Sequence, residues 1–567
     1  MVSNGAFTFV LHSHLPYARE AGMWPHGEEW VHEGISETYL PLLDALYDLK
    51  EEGVDYRITV SVTPILAEQL GDPLIADHFE TFAEERATWA AADVERFTES
   101  GDAELKRLAE HYHAWYSSTL KSFRSRHNRD ILDALKTLQD EGYIEISTCA
   151  ATHGYLPLLG RDSSIFAQLR TGIRSYERSF GRKPTAIWLP ECAYRPGRSA
   201  EETVDGIVRP SIETFLKEQG IRVFFTETHT VEGGRPVGKA AGEAIGPYGE
   251  VYQRIAVEPS DDLQDEPGTT YKAYWVGDAA GDVAVLARNN RTGQQVWSGT
   301  FGYPGDAAYR EFHRKDGVSG MQYWAIGAPG TDLGEKPLYN PDLARERTES
   351  HADHFAHLVE DLLEEYRAGA GKPGVISSNY DTELFGHWWF EGVAWLKRVL
   401  LRLAQSDKVD LTTATQMVNS YLPDRVVELP ESSWGAGGNH STWMNPETEW
   451  MWPVIHGAER RMEALVAENT DPDDDVKRVL AQAGRELLLL QSSDWPFLVT
   501  TGQANEYATK RFREHVERFD LMAETAELGE LGPGAREQLE LLERRDNPFP
   551  TIDYRDFAER QGHAEIQ

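Results

Sequence analysis

Short apolar runs in this 567-residue sequence repeatedly end in residues able to do chemistry. Phe7–Leu11 leads into His12-Ser-His14, Ile144–Thr148 into Cys149 and His153, and Ala186–Leu189 into Pro190-Glu191-Cys192. Val223–Thr226 leads to Glu227 and His229, Val283–Leu286 to Arg288, and Val375–Ser378 to Asp381-Thr-Glu383 followed by His387-Trp388-Trp389. Singly, each has a bland use: a histidine near a strand end is usually a hydrogen-bonded framework residue, and Glu191 or Asp381 could sit at a helix N-terminus. Convergence shifts the balance, because parallel barrels do their chemistry at the carboxyl ends of their strands. Glu191 and Asp381 suit glycoside chemistry, in which a retaining mechanism needs a nucleophilic carboxylate and a carboxylic acid roughly 5–5.5 Å apart. Trp24, Trp30, Trp297, Trp388, Trp389, Trp434, Trp443, Trp450 and Trp452 lie in loop-like or strand-end contexts. Flat aromatic faces stack on sugars, although core packing is expected to claim about half of these tryptophans.

Two rival constellations use the same residues. His12, His14 and His153 with an Asp or Glu could hold zinc or a similar ion, and the resulting activity would be sugar deacetylation. A non-catalytic carbohydrate-binding protein would display the same aromatics. Serine-hydrolase and phosphate-loop chemistry find no motif: there is neither Gly-x-Ser-x-Gly nor Gly-x-x-x-x-Gly-Lys-Ser/Thr.

The elements that must position these residues alternate. Seven short β-like runs, counting Arg57–Val62, are separated by helical patterns such as Thr38–Glu51, Asn128–Glu141, Ser163–Phe180 and Arg209–Gln219. Strand–helix alternation predicts a parallel sheet, and seven units predict a barrel one unit short of the common eight. The interval 71–127 reads as an inserted helical subdomain, and the Gly/Pro-rich stretch at about 228–250 as a mobile loop. Residues 1–419 thus form the expected catalytic barrel and 420–567 a C-terminal helical domain. There, Val476, Leu480, Ala483, Leu487 and Leu490 make one helical face, preceded by carboxylates at Asp471-Pro-Asp-Asp-Asp475 that favour a helix N-terminus.

The formal net charge is −37, from 56 Lys+Arg against 93 Asp+Glu. So negative a field disfavours nucleic acid, anionic membrane and anionic substrates, and leaves neutral ones untouched. Only 15 of the cations are lysine; excess carboxylate with little lysine suits a surface working in concentrated salt. Two cysteines make no disulfide framework. Without a signal-like segment or a membrane-length apolar run, a cytoplasmic location is expected.

The motifs resemble glycoside hydrolase family 57 and, within it, the α-1,4-glucan branching enzymes. They include Leu11-His-Ser-His-Leu-Pro-Tyr17, Gly27-Glu-Glu-Trp30, Ala151-Thr-His-Gly-Tyr155 and Trp188-Leu-Pro-Glu-Cys-Ala-Tyr194. Further matches are Gln295-Val-Trp297, Tyr380-Asp-Thr-Glu-Leu-Phe-Gly-His-Trp-Trp389, Ser433-Trp-Gly435 and Gln491-Ser-Ser-Asp-Trp495. The resemblance implies a distorted (β/α)7 barrel and a retaining double displacement that needs no metal or other cofactor. It makes Glu191 the nucleophile and Asp381 the general acid/base. His12 and His153 become donor-sugar groups, with His14, His387 and Trp388 beside them, and Asp494 a hydroxyl-binding group from the helical domain. Trp30, Trp297, Trp434 and Trp443 guide the glucan. The implied reaction moves an α-1,4-glucan segment to a 6-hydroxyl; the alternative is an amylase-type hydrolase on the same scaffold. The resemblance implies a tyrosine, usual in branching enzymes of this type, in the loop after the fifth strand. Here Arg235-Pro-Val237-Gly-Lys239 aligns there, with Tyr248 downstream, which predicts a measurable hydrolytic side reaction.

Overall fold

The computed structural model describes residues 3–203, 206–233, 268–277, 281–297, 299 and 302–560. Seven parallel strands stand where the seven runs were read: β1 (Gly5–Ser13), β2 (Ile58–Val62), β3 (Ile144–Ser147), β4 (Ala186–Ile187), β5 (Val223–Thr226), β6 (Val283–Ala287) and β7 (Gly374–Asp381). β3, β2, β1 and β7 are hydrogen-bonded in that order, as are β6, β5 and β4. Single parallel bridges, Thr148 to Ile187 and Arg288 to Ser377, close the two arcs into a ring. The weak seams explain the distortion: β3–β4 and β6–β7 are each joined through one bridge rather than a ladder. Tyr274–Val276 pairs antiparallel with β6, and Val409–Leu411 takes the lower half of one β1 edge.

The two-residue period of β1 sorts its side chains. Phe7, Phe9 and Leu11 face the outer helices, where Phe9 stacks on Phe355 at 5.8 Å and meets Trp395 edge-on at 6.0 Å. Ala6 and Val10 fall in the other core cluster, with Trp188, Val285 and Val375. His12 has the parity of Ala6 and Val10. In register it stands beside Ser61 of β2 and Asp381 of β7, so these three polar groups share one row at the carboxyl ends of the strands.

The insertion is a helical hairpin, Pro73–Ser100 and Ala103–Lys121. Asp72 caps the first helix by accepting the Leu74 N–H at 2.7 Å, Gly101 turns the chain at φ 77°, and Asp102 caps the second. Among the described residues, the C-terminal region packs the α-helices Met451–Glu468, Asp474–Leu490, Asp494–Thr501, Asn505–Leu528 and Pro533–Arg545. The stripe Val476, Leu480, Ala483, Leu487 and Leu490 is buried, and Asp473 caps its helix through the Val476 N–H. Of the Gly/Pro-rich loop expected at about 228–250, only the helix Thr228–Glu232 and Gly233 are described; positions 235–239 and Tyr248 lie outside the described residues. Cys149 and Cys192 are free and buried. Among the described residues, no helix is long and apolar enough to cross a membrane.

Candidate active site

Glu191 follows β4 in a left-handed turn, φ 60°, ψ 24°. This conformation is costly for a side-chain-bearing residue and is tolerated where surroundings enforce it. The enforcement comes from far along the chain. Residues 432–434 run antiparallel to 191–194, with Tyr194 N–H to Ser432 O at 2.8 Å and Trp434 N–H to Glu191 O at 3.0 Å. The same segment brings the Trp434 indole N–H to Glu191 Oε2 at 2.5 Å. Ser493 Oγ donates to Oε1 at 3.3 Å. Donors on both oxygens orient the carboxylate, whose side chain is 12% exposed.

The imidazoles form a packed stack. His12 lies flat on the buried Trp188 ring, 4.6 Å away and 9° from parallel, and His14 stacks on His153 at 3.9 Å. His12 Nδ1 meets Ser61 Oγ at 3.2 Å, and its Nε2 meets His153 Nε2 at 3.1 Å. His153, itself at φ 57°, turns Nδ1 to Ser493 Oγ at 2.8 Å. Burial, reinforced by His14 and His12, holds its pKa well below the ordinary value. His14 goes the other way. Burial alone would lower it, but the Asp494 carboxylate 2.8 Å from Nε2, with Glu191 and Glu383 behind, leaves it raised. The stack thus pairs a ring whose pKa is raised with one whose pKa is lowered.

Asp381 ends β7, and Glu383 follows in a single 3-10 turn. Glu383 Oε1 accepts the Tyr39 hydroxyl at 2.5 Å and the His14 backbone N–H at 3.1 Å. Burial first, then the charge of Asp381, pushes its pKa up to about 7 despite the Tyr39 hydrogen bond. Tyr39 belongs to a π-helical turn, Ile35–Tyr39, a local irregularity frequent at functional sites. Glu37 of that turn meets His387 Nδ1 at 2.8 Å and Arg310 at 3.3 Å. Burial would raise Glu37, but Arg310 and His387 bring it down to about 2. One turn thereby anchors both ends of the 383–387 segment.

The predicted site residues separate into groups. His12, His14, His153, Glu191 and Asp494 are joined by direct hydrogen bonds or ring contacts, and Asp381 stands in register with His12. Trp297 stands perpendicular to Trp434 at 6.5 Å. Trp30 is half-buried against Tyr507 of the Asn505–Leu528 helix, 5.4 Å edge-on. His387 belongs to the Glu37–Arg310 group, and the Trp388 backbone N–H closes onto Glu383 O at 3.1 Å. Trp443 requires a correction: it is 0% exposed and stacked on Tyr155 at 4.3 Å. A ring with no accessible face offers no sugar platform, so Trp443 packs the core. Trp434, 6% exposed, acts on the carboxylate through its N–H. Sequence reasoning assigned no role to Ser493, Trp188, Glu383 or Tyr39, although Trp188, Glu383 and Ser493 lie within motifs already singled out.

Among the described residues, two clusters hold side chains within metal-ligand reach. His14, His153 and Asp494 each place one ligand atom within 4.8 Å of the others, as do Glu486, His515 and Asp546. In the first, both His153 nitrogens face hydrogen-bond partners and His14 is bonded to Asp494. In the second, His515 is bonded to Arg511, and Asp546 is paired with Arg518. In this second cluster the two guanidinium groups fill the electrostatic role a metal would take.

A seven-stranded barrel with two acidic residues among histidines and tryptophans at its carboxyl end defines a carbohydrate-active site. The profile of glycosyl hydrolase family 57 matches residues 8–430, and the chain belongs to that family. Residues 454–557 match the 1,4-alpha-glucan branching enzyme C-terminal profile. The 1,4-alpha-glucan branching enzyme of Thermococcus kodakarensis is 47% identical over 553 residues, covering 97% of this chain and 78% of that protein. The crystal structure of that organism's family 57 branching enzyme superposes with a TM-score of 0.87 at 43% identity, covering 98% of this chain and 97% of that one. The alpha-amylase AmyC of Thermotoga maritima superposes at 0.80 with 29% identity, covering 98% of this chain and 99% of that one.

Proposed function

We propose that this chain is a 1,4-alpha-glucan branching enzyme that works by retaining double displacement. The observation carrying the reading is that the region matching the branching-enzyme C-terminal profile supplies Ser493 and Asp494 directly to the Glu191–His153–His14 group. Asp381 protonates the glycosidic oxygen as Glu191 attacks the anomeric carbon; that C–O bond breaks and the released chain end departs as an alcohol. The 6-hydroxyl of a second glucan then attacks the glycosyl-enzyme, giving its proton to Asp381 and freeing Glu191. His12, His14, His153 and Asp494 surround the donor sugar, and Trp30, Trp297 and Trp434 border the chain path. Water in place of the 6-hydroxyl gives hydrolysis, so the outcome depends on how well the closed site excludes it. A neutral polysaccharide suits the −37 charge, and a cytoplasmic location follows from a role in glycogen synthesis.

Incubation with amylose tests this. New short chains released by isoamylase, with few new reducing ends beforehand, are expected. Reducing ends without isoamylase-sensitive branches would replace the reading with an amylase. Glu191→Gln and Asp381→Asn should each abolish turnover.

A further inference from the structure

Ser493 stands where the helical region meets the carboxylate, and nothing in the reaction scheme yet uses it. We propose that Ser493 is a positioning residue: its hydroxyl orients Glu191 and fixes where the protons sit on His153 and His12. The inference rests on reading Glu191 as the nucleophile. A carboxylate only accepts, so Ser493 Oγ–H must be the donor to Oε1 at 3.3 Å. The serine lone pairs then face His153 Nδ1 at 2.8 Å, which must carry the ring proton. In the neutral ring His153 Nε2 is an acceptor, so His12 Nε2, 3.1 Å away, donates to it. His12 Nδ1 is left to accept from Ser61 Oγ at 3.2 Å. One hydroxyl thus orders a line of groups running across the ends of β4, β3, β1 and β2.

The geometry also shows why a serine from so far along the chain can hold this post. Ser493 has no exposed surface, and its backbone N–H donates to His153 O at 3.1 Å. Ser492 beside it pairs antiparallel with Gly154. Backbone bonds therefore fix the hydroxyl relative to both the ring and the carboxylate. His153 Nδ1 lies 3.8 Å from Glu191 Oε1, beyond a good hydrogen bond, so the serine oxygen bridges them. Other charged or titratable groups facing this region are His14 with Asp494, Asp381 at the end of β7 with Glu383 after it, the Cys149 and Cys192 thiols, the Tyr155 hydroxyl, and the Arg288–Glu227 pair at the ends of β6 and β5.

The test compares Ser493→Ala, Ser493→Thr and Ser493→Cys with Glu191→Gln, measuring kcat and KM on amylose across pH. Ser493→Ala should lower kcat about tenfold with KM little changed. Losing a donor to the carboxylate disfavours its ionised form, so the acidic limb should move to higher pH by about one unit. Ser493→Thr keeps the hydroxyl and should recover most of the activity and the original limb. Ser493→Cys fills a similar volume with a weak donor and should follow alanine, which keeps the test informative should the alanine chain not fold. A wild-type kcat and limb in Ser493→Ala or Ser493→Cys, with Glu191→Gln inactive, overturns the role of Ser493 alone; so does equal impairment of the threonine and alanine variants. An active Glu191→Gln overturns the nucleophile assignment itself.

Discussion

Glu383→Gln probes the turn after Asp381 with little change of shape. The glutamine carbonyl can still accept from the Tyr39 hydroxyl and the His14 N–H, so the variant chiefly removes an ionisable group from a site that is 4% exposed. The folded carboxyl titrates at about 7 against an ordinary 4.5. Below pH 4.5 both folded and unfolded chains hold the proton, and the wild type has its full stability. As pH rises from 4.5 through 7, the unfolded chain releases its proton first, while the folded one must bury a charge to follow; stability is lost across that window. A gap of two to three pH units is worth about 3 kcal/mol. With unfolding entropy of about 2.1 cal/mol/K per residue, a chain of this length unfolding as one unit converts that to about 3 °C in Tm. Melting both proteins at about pH 4 and about pH 8.5 should therefore find Glu383→Gln gaining about 3 °C on the wild type between the two conditions. A difference independent of pH, or one that moves the other way, refutes the reasoning that burial holds the Glu383 proton.

Asp494→Asn removes the main group opposing burial at His14, so the His14 imidazole should titrate lower than in the wild type, read by NMR of labelled histidines with a His14 variant to assign the resonance. Stability held by the raised His14 is complete below the unfolded pKa and lost as pH rises through the folded one; the asparagine variant should lack that pH-dependent part. Trp443→Ala should cost about 3–5 kcal/mol of stability, while Trp443→Phe should leave KM for amylose unchanged, in contrast to Trp297→Ala, which should raise it.

The helical region completes the site rather than merely covering it. It contributes the Asp494 carboxylate to His14 and the Ser493 hydroxyl to Glu191, and its Tyr507 backs Trp30. Severing it would remove hydrogen-bond partners from His14, His153 and the proposed nucleophile itself.

Local pattern alone determined a great deal here. Strand positions were legible because β-branched and aromatic runs alternate with helical periodicity. The Val476–Leu490 stripe declared its buried face, and the chemistry-bearing residues followed their strands at short, readable distances. The −37 net charge was legible from composition alone. What the tertiary structure decided are relations between distant residues, for which one-dimensional periodicity carries no signal. Trp434 and Trp443 lie close together in the same irregular segment; one reaches the Glu191 carboxylate and the other is sealed beneath Tyr155. His14 and His153 are alike in sequence context, yet Asp494 raises the first while burial beside two other imidazoles lowers the second. Proton affinity is set by the charges and solvent a fold places around a group, so it could be known only once the chain had closed around these rings.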